Sequence, residues 1–532
     1  MAQYLSLRRI EGPIWLAPKD ITTIRACISE AQEQLTTLEF ENRMNKDSWA
    51  SDSELMSRKD QKIAEIASLQ NIIAPVRRMP PEIVSEIFKA YCSMDHMYGM
   101  HGGLYQGTCT RITLTSVCAA WRKTAHATPE LWSELKVHRS GVSSFNDADI
   151  VTQWLSRSGN LPLDLNISLR MRYRGNISEA FPDFSHRIRS LEVCLPREYF
   201  EPFTNLPKSS FPSLEKLVLD FRGRDRYYCP PELESQYIEI FLDSNQLKYV
   251  KFTEDGFSCL LLENIKFPRD TVTSLMVDAA YFNRSPFVSL YFDTLRSMNQ
   301  LVHCTIEFPK ERLEIFRTRP KPIILPFLQS LTLSAESDVA AGYDVAFFRC
   351  LDAPLLKDLH LVRASQNHAE LVTQLAEFCT RSMVLLSSLH LSSFYGGVIS
   401  GKDIIRLIAV FPSIRILRFD EADRDLDIRP LIDALIYNPA RPGPLHLPNL
   451  EELYLQGHEV EQAKVCDLIR SYWRSTKEKN TGTNHSLPDA EDGTSRLRKA
   501  TIRIWAHQGL DTDCLRQLVH ESALHGIEFG FH

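Results

Sequence analysis

The chain has little of what marks a nucleic-acid binder, a membrane protein, a secreted scaffold or a common enzyme. Its 61 lysines and arginines fall short of its 67 aspartates and glutamates, giving a formal net charge of −6. No basic excess is left to neutralise phosphates, so no nucleic-acid partner is expected. No apolar run reaches the length of a membrane span, and no membrane association is expected. The opening MAQYLSLRRIEGPIW lacks the apolar core of a secretory leader. The 12 cysteines form no C-x-x-C pair and sit mostly among apolar neighbours, as at Cys304, Cys350 and Cys379. That is the pattern of buried thiols in a reducing compartment, cytoplasmic or nuclear, rather than of disulfides. Nucleophile-elbow, zincin, P-loop and dinucleotide-binding motifs are all missing. Cys92, His96, His101 and Cys109 do not have a zinc-binding spacing. No catalytic residue, metal site or cofactor is therefore expected, and the chain is read as a non-enzyme.

What is present is a globular composition, 44% hydrophobic and 24% charged, in 532 residues. Such a length calls for more than one core. Residues 1–72 read as helical. Ile21, Ile24, Ile28, Ala31, Leu35 and Leu38 follow a 3-4 spacing, the seam of a coiled coil. After a polar break from Asn42 to Ser53, Ile63, Ile66, Leu69 and Ile73 mark a second helix. Either the two helices pair with each other as a hairpin, or the seam pairs two chains.

Residues 73–136 form the next segment. Pro80 and Pro81 open a helix, where a missing N–H costs nothing, and Glu82 suits its positive end. Ile83, Ile87 and Phe88 are expected on one apolar stripe, and Leu114, Val117, Cys118 and Trp121 on a second. Between them, 92–110 is rich in Gly, Met and His and reads as an inserted loop, tolerated because closure cost grows slowly with length. The ordered set Met79-Pro80-Pro81-Glu82-Ile83, Ile87-Phe88, Val117-Cys118-x-x-Trp121-Arg122 and Thr128-Pro129-Glu130-Leu131-Trp132 resembles an F-box. With the helical segment before it, the arrangement resembles the divergent F-box proteins of mushroom-forming fungi. Met79 departs from the usual leucine, a change that keeps side-chain volume.

Residues 137–532 repeat one pattern, L-x-x-L-x-L with conservative replacements. It begins at Ile188, Leu214, Leu247, Val272, Leu301, Leu328, Leu356, Leu386, Ile414, Leu450 and Leu497. The last two apolar positions of each copy alternate, so each copy predicts a short strand with one buried face. Helix-like stretches separate the copies, at 237–242, 287–295, 370–378, 404–410, 431–436, 465–473 and 515–524. The expected fold class is α/β: N-terminal helices and a small all-α F-box, then an irregular leucine-rich-repeat solenoid with parallel strands on the concave side and helices on the convex side. The asparagine or cysteine usual after the last apolar position is mostly absent, so the turns must be built differently. Residues 475–495 are polar and charged and read as a disordered loop.

The F-box resemblance implies docking on a Skp-family adaptor and, through it, membership of a cullin-RING ubiquitin ligase. The residues expected at that contact are Pro80, Pro81, Glu82, Ile83, Ile87, Phe88, Leu114, Val117, Cys118, Trp121, Leu131 and Trp132. The repeats would then bind an unknown protein substrate for ubiquitin-dependent degradation. Between the two inward positions of each strand lies an outward one. Thr332, His360, His390, Arg418 and Tyr454 occupy it in successive copies and are read as a polar, partly cationic substrate stripe. The other reading of the whole chain is a leucine-rich-repeat scaffold or binding protein with no role in ubiquitin transfer.

Overall fold

Helix α1 (Pro18–Met44) and helix α2 (Trp49–Ile73) bury their seams against each other. Ile24 and Ile28 near the start of α1 pack with Leu69 and Ile72 near the end of α2. Lys59 and Glu39, 3.2 Å apart, tie the other ends. The pairing is therefore antiparallel, the hairpin alternative, closed within one chain. The seam in α2 is Ile66, Leu69 and Ile72; Ile63, expected on it, is exposed. The protein is described by a computed structural model, which covers residues 16–44, 49–93, 106–139, 147–169, 177–195, 206–220, 237–253, 264–278, 288–308, 321–335, 343–362, 368–392, 401–420, 429–436, 447, 449–458, 462–477, 497–505, 516–520 and 528–531. Two units are distinguished, Met1–Asn166 with Arg174–Ala180, and Ile167–Tyr173 with Phe181–His532.

In the first unit α3 (Pro81–Ser93), α4 (Gln106–Val117) and α5 (Ala119–His126) follow the hairpin. Helix thus claims both ends of the inserted loop expected over 92–110. Cys92 is buried on α3, and the remaining part, with His96 and His101, lies outside the described residues. The single stripe expected from Leu114 to Trp121 is broken. Cys118 is extended (φ −160°, ψ 170°) and caps α5, its Sγ accepting from the Trp121 N–H at 3.4 Å. The Thr-Pro-Glu-Leu-Trp segment closes this unit. Trp132 donates from Nε1 to the Ala125 carbonyl at 2.7 Å and stacks edge-on with Trp154 at 4.8 Å. Arg157 lies over its ring at 4.7 Å.

In the second unit every one of the repeated sequence patterns carries a strand, from Ile188–Cys194 to Lys499–Trp505. Glu528–Phe531 adds one more that no pattern marked. All pair in parallel with their neighbours in the order of the chain. The alternation explains why. Leu359, Leu361, Leu389, Leu391, Leu417 and Phe419 are buried on one face, while the residues between them stay at least partly open. A strand with one buried face has its register fixed, because a slip by one residue would turn that face to water. Helices Val288–Arg296, His368–Ser382, Gly401–Ala409, Arg429–Leu435 and Gln462–Lys477 separate strands where helices were expected. Residues 237–242 are not helical. Ile238 instead bridges Ile265 in parallel, taking the Asn264 carbonyl and giving its own to the Lys266 N–H, both at 2.8 Å. Residues 475–477 extend the last of these helices, and the rest of the loop expected to 495 lies outside the described residues. The architecture is a mixed α/β fold with N-terminal helices and a large parallel sheet. Among the described residues no helix is long and apolar enough to cross a membrane.

Candidate docking faces

Helix α3 carries two adjacent apolar rows, with Glu82, Glu86 and Lys89 on its remaining side. Val84, Phe88 and Cys92 recur every four residues and are buried, Phe88 to 1% exposure. Ile83, Ile87 and Tyr91 recur at the same interval one position earlier, with Ile83 49% and Ile87 47% exposed. A step of one residue turns a helix by about 100°, which separates the two rows. The inner row is closed by contacts within this unit. Phe88 meets Trp121 edge-on at 5.0 Å, and Ser85 shares a 2.8 Å hydrogen bond with the buried Thr128. Lys89 bonds Glu86 at 2.6 Å and lies 3.8 Å from Glu130; those carboxylates hold its ammonium pKa above the ordinary lysine value.

The residues expected at an adaptor contact therefore divide. Pro80, Pro81, Glu82, Ile83, Ile87 and Val117 are exposed, and Cys118 and Trp121 are half-buried. Phe88, Leu114, Leu131 and Trp132 are core residues and offer no surface, because their side chains already hold the helices of this unit together. Tyr91 and Ile112, exposed and apolar, were not among the expected residues. For Tyr91 the signal was in the sequence, as the next step of the 83–87 row.

The substrate stripe expected on the repeats is a true column. Thr332, His360, His390, Arg418 and Tyr454 stand opposite one another on successive strands. The His360 and His390 rings stack, with centroids 3.8 Å apart and planes 6° from parallel. His360 Nε2 and Ser392 Oγ share a hydrogen bond at 3.0 Å. Burial pushes the His360 imidazole down to about 4, with His390 adding to the effect. Burial also lowers His390; Asp420 opposes this and Arg418 adds to it. Both rings are thus neutral at neutral pH, and the cationic character expected of the stripe rests on Arg418 alone. Its guanidinium in turn lies 3.7 Å from Glu452. Tyr454 donates to Gln456 Oε1 at 3.0 Å, with Arg503 5.8 Å from its ring. The column is a neutral, hydrogen-bonding surface that suits polar and aromatic groups better than anions.

Comparison with models of known families and with curated proteins finds no match for this chain. Among the described residues no group of three or more histidine, cysteine, aspartate or glutamate side chains could hold a metal ion.

Proposed function

We propose that the chain is the substrate-recognition subunit of a Skp-cullin-F-box type ubiquitin ligase. In this reading α3 to α5 form an F-box, and the parallel sheet with its helices is an irregular leucine-rich-repeat solenoid. The observation that carries the reading is the exposed row Ile83, Ile87 and Tyr91 on a helix whose neighbouring row is already packed. A helix that presents apolar side chains after its own core is complete is suited to lie in a partner's groove. Full burial of each isoleucine stabilises such a complex by about 1.5–3 kcal/mol. Pro80, Pro81 and Val117 extend the same docking surface in this proposal. The column from Thr332 to Tyr454 would receive the substrate, and ubiquitin transfer would belong to the partners in the assembly.

Co-expression with a Skp-family adaptor, followed by size-exclusion chromatography with light scattering, tests this. The expected result is a one-to-one complex that is lost in Ile87→Asp while the thermal unfolding of the free chain stays unchanged. An adaptor complex that survives Ile87→Asp would remove the assigned contact. A complex that forms in cells but leaves the turnover of bound proteins unaltered would favour a scaffold over a ligase receptor.

A further inference from the structure

Each strand of the repeat unit is entered through a buried apolar residue, such as Leu214, Leu247, Leu301 or Leu450. The residue just before it is at the surface and polar in most copies: Ser213, Gln246, Thr271, Gln300, Ser413 and Asn449. Three consecutive copies depart from this. Phe327, Leu355 and Leu385 stand there instead, 46%, 47% and 76% exposed. The backbone keeps them in line. Two residues later the Lys357 N–H donates to the Gln329 carbonyl at 2.9 Å, and the Ser387 N–H to the Lys357 carbonyl at 2.8 Å. Adjacent members of the row are therefore about one strand spacing apart, roughly 4.8 Å.

Met383 reinforces the row. It follows helix His368–Ser382 in the left-handed region, at φ 52°, and is 83% exposed. The Val384 N–H reaches back to the Cys379 carbonyl at 3.3 Å, closing the helix in the way that normally selects glycine. A methionine here costs backbone strain and buries nothing. Leu385, two residues on and beyond the buried Val384, is exposed as well.

We propose that this row is a second docking surface, separate from the Thr332–Tyr454 column, for a peptide segment of a partner protein that carries large apolar and acidic side chains. The acidic requirement comes from Lys357. It is exposed two residues beyond Leu355, between Gln329 and Ser387 of the adjoining copies, and its ammonium has no hydrogen bond or ion pair among the described residues. The next cation along the same column, Arg415, is already on Glu451 at 2.9 Å. Asp358 belongs to the strand face that carries His360. An apolar row with one unpaired cation beside its middle member selects a segment with matching apolar groups and one carboxylate.

Panning short random phage-displayed peptides on the full chain, then measuring the enriched sequences by fluorescence anisotropy, tests the proposal. Peptides combining large apolar residues with Asp or Glu are expected. Leu355→Gln combined with Leu385→Ser is expected to weaken them about tenfold or more. Both changes install residues of the kind found at this position in neighbouring copies, and a circular dichroism melt verifies the fold. Lys357→Ala is expected to cost about threefold and to flatten the salt dependence. Met383→Gly is expected to raise the thermal midpoint and yet weaken binding. No enrichment, or peptides indifferent to the double variant, would overturn the surface. Enriched peptides without acidic residues would overturn the partner chemistry. A dimer that dissociates in the double variant would assign the row to a contact between copies of the chain and overturn the partner.

Discussion

Phe88 lies edge-on to Trp121 at 5.0 Å, while Ile87, one residue earlier, meets solvent. Their substitutions are expected to differ accordingly. Phe88→Ala removes a ring from a closed core and should destabilise the first unit by about 3–5 kcal/mol in denaturant titrations. Ile87→Asp alters only surface and should stay within about 0.5 kcal/mol, so that its effect on partner binding is read cleanly. The sequence placed Ile83, Ile87 and Phe88 on one stripe. The error has a physical origin: positions 83, 87 and 91 and positions 84, 88 and 92 are both apolar rows at helical spacing. Periodicity finds such rows but does not say which one is covered, because that depends on where Trp121 and Leu131 arrive from farther along the chain. The stacked histidines show the same limit. Their equivalent positions were legible in the repeat, whereas their loss of charge follows from burial that no local pattern encodes.

At the scale of elements, the break between α4 and α5 turns on one residue. Cys118 caps α5 through sulfur, a weak acceptor, at 3.4 Å from the Trp121 N–H. A hydroxyl accepts better at such a position, so Cys118→Ser should stabilise the first unit by about 0.5–1 kcal/mol, and Cys118→Ala should not. Chemical denaturation of the two variants distinguishes these outcomes. The strands were legible because a buried face leaves a two-residue alternation that little else imitates, and the repeat multiplied that signal. The segment 237–242 was not, since Ile238 and Ile240 are as apolar as a helix would need but Ile238 spends its backbone groups on a bridge to Ile265. Helix Tyr343–Cys350 was also missed; it lies between two repeat copies where no helical stripe had been assigned.

For the whole molecule, the histidine pair sets a cost in acid. An unfolded histidine takes a proton near 6.5, whereas folded His360 holds it off until about 4. Between those values the unfolded chain binds more protons, so folding stability falls as pH falls through that window and is fully retained above it. His390, lowered as well, contributes in the same direction, with Asp420 opposing the effect and Arg418 adding to it. Thermal melts from pH 7 to 4.5 should show a falling midpoint, and His360→Gln with His390→Gln should flatten that slope. An equal slope in the double variant would assign the acid sensitivity to other groups.

The ladder that aligns His360 with His390 and Arg418 also determines which changes of length the chain tolerates. Each copy occupies one rung, so gaining or losing a whole copy would shift the surface by one step and leave every other residue facing as it did. One extra residue inside Asp358–Val362 would do the reverse, sending His360 into the core and Leu361 into water. Variation by whole copies is therefore a route by which such a surface can be lengthened or recombined without being rebuilt.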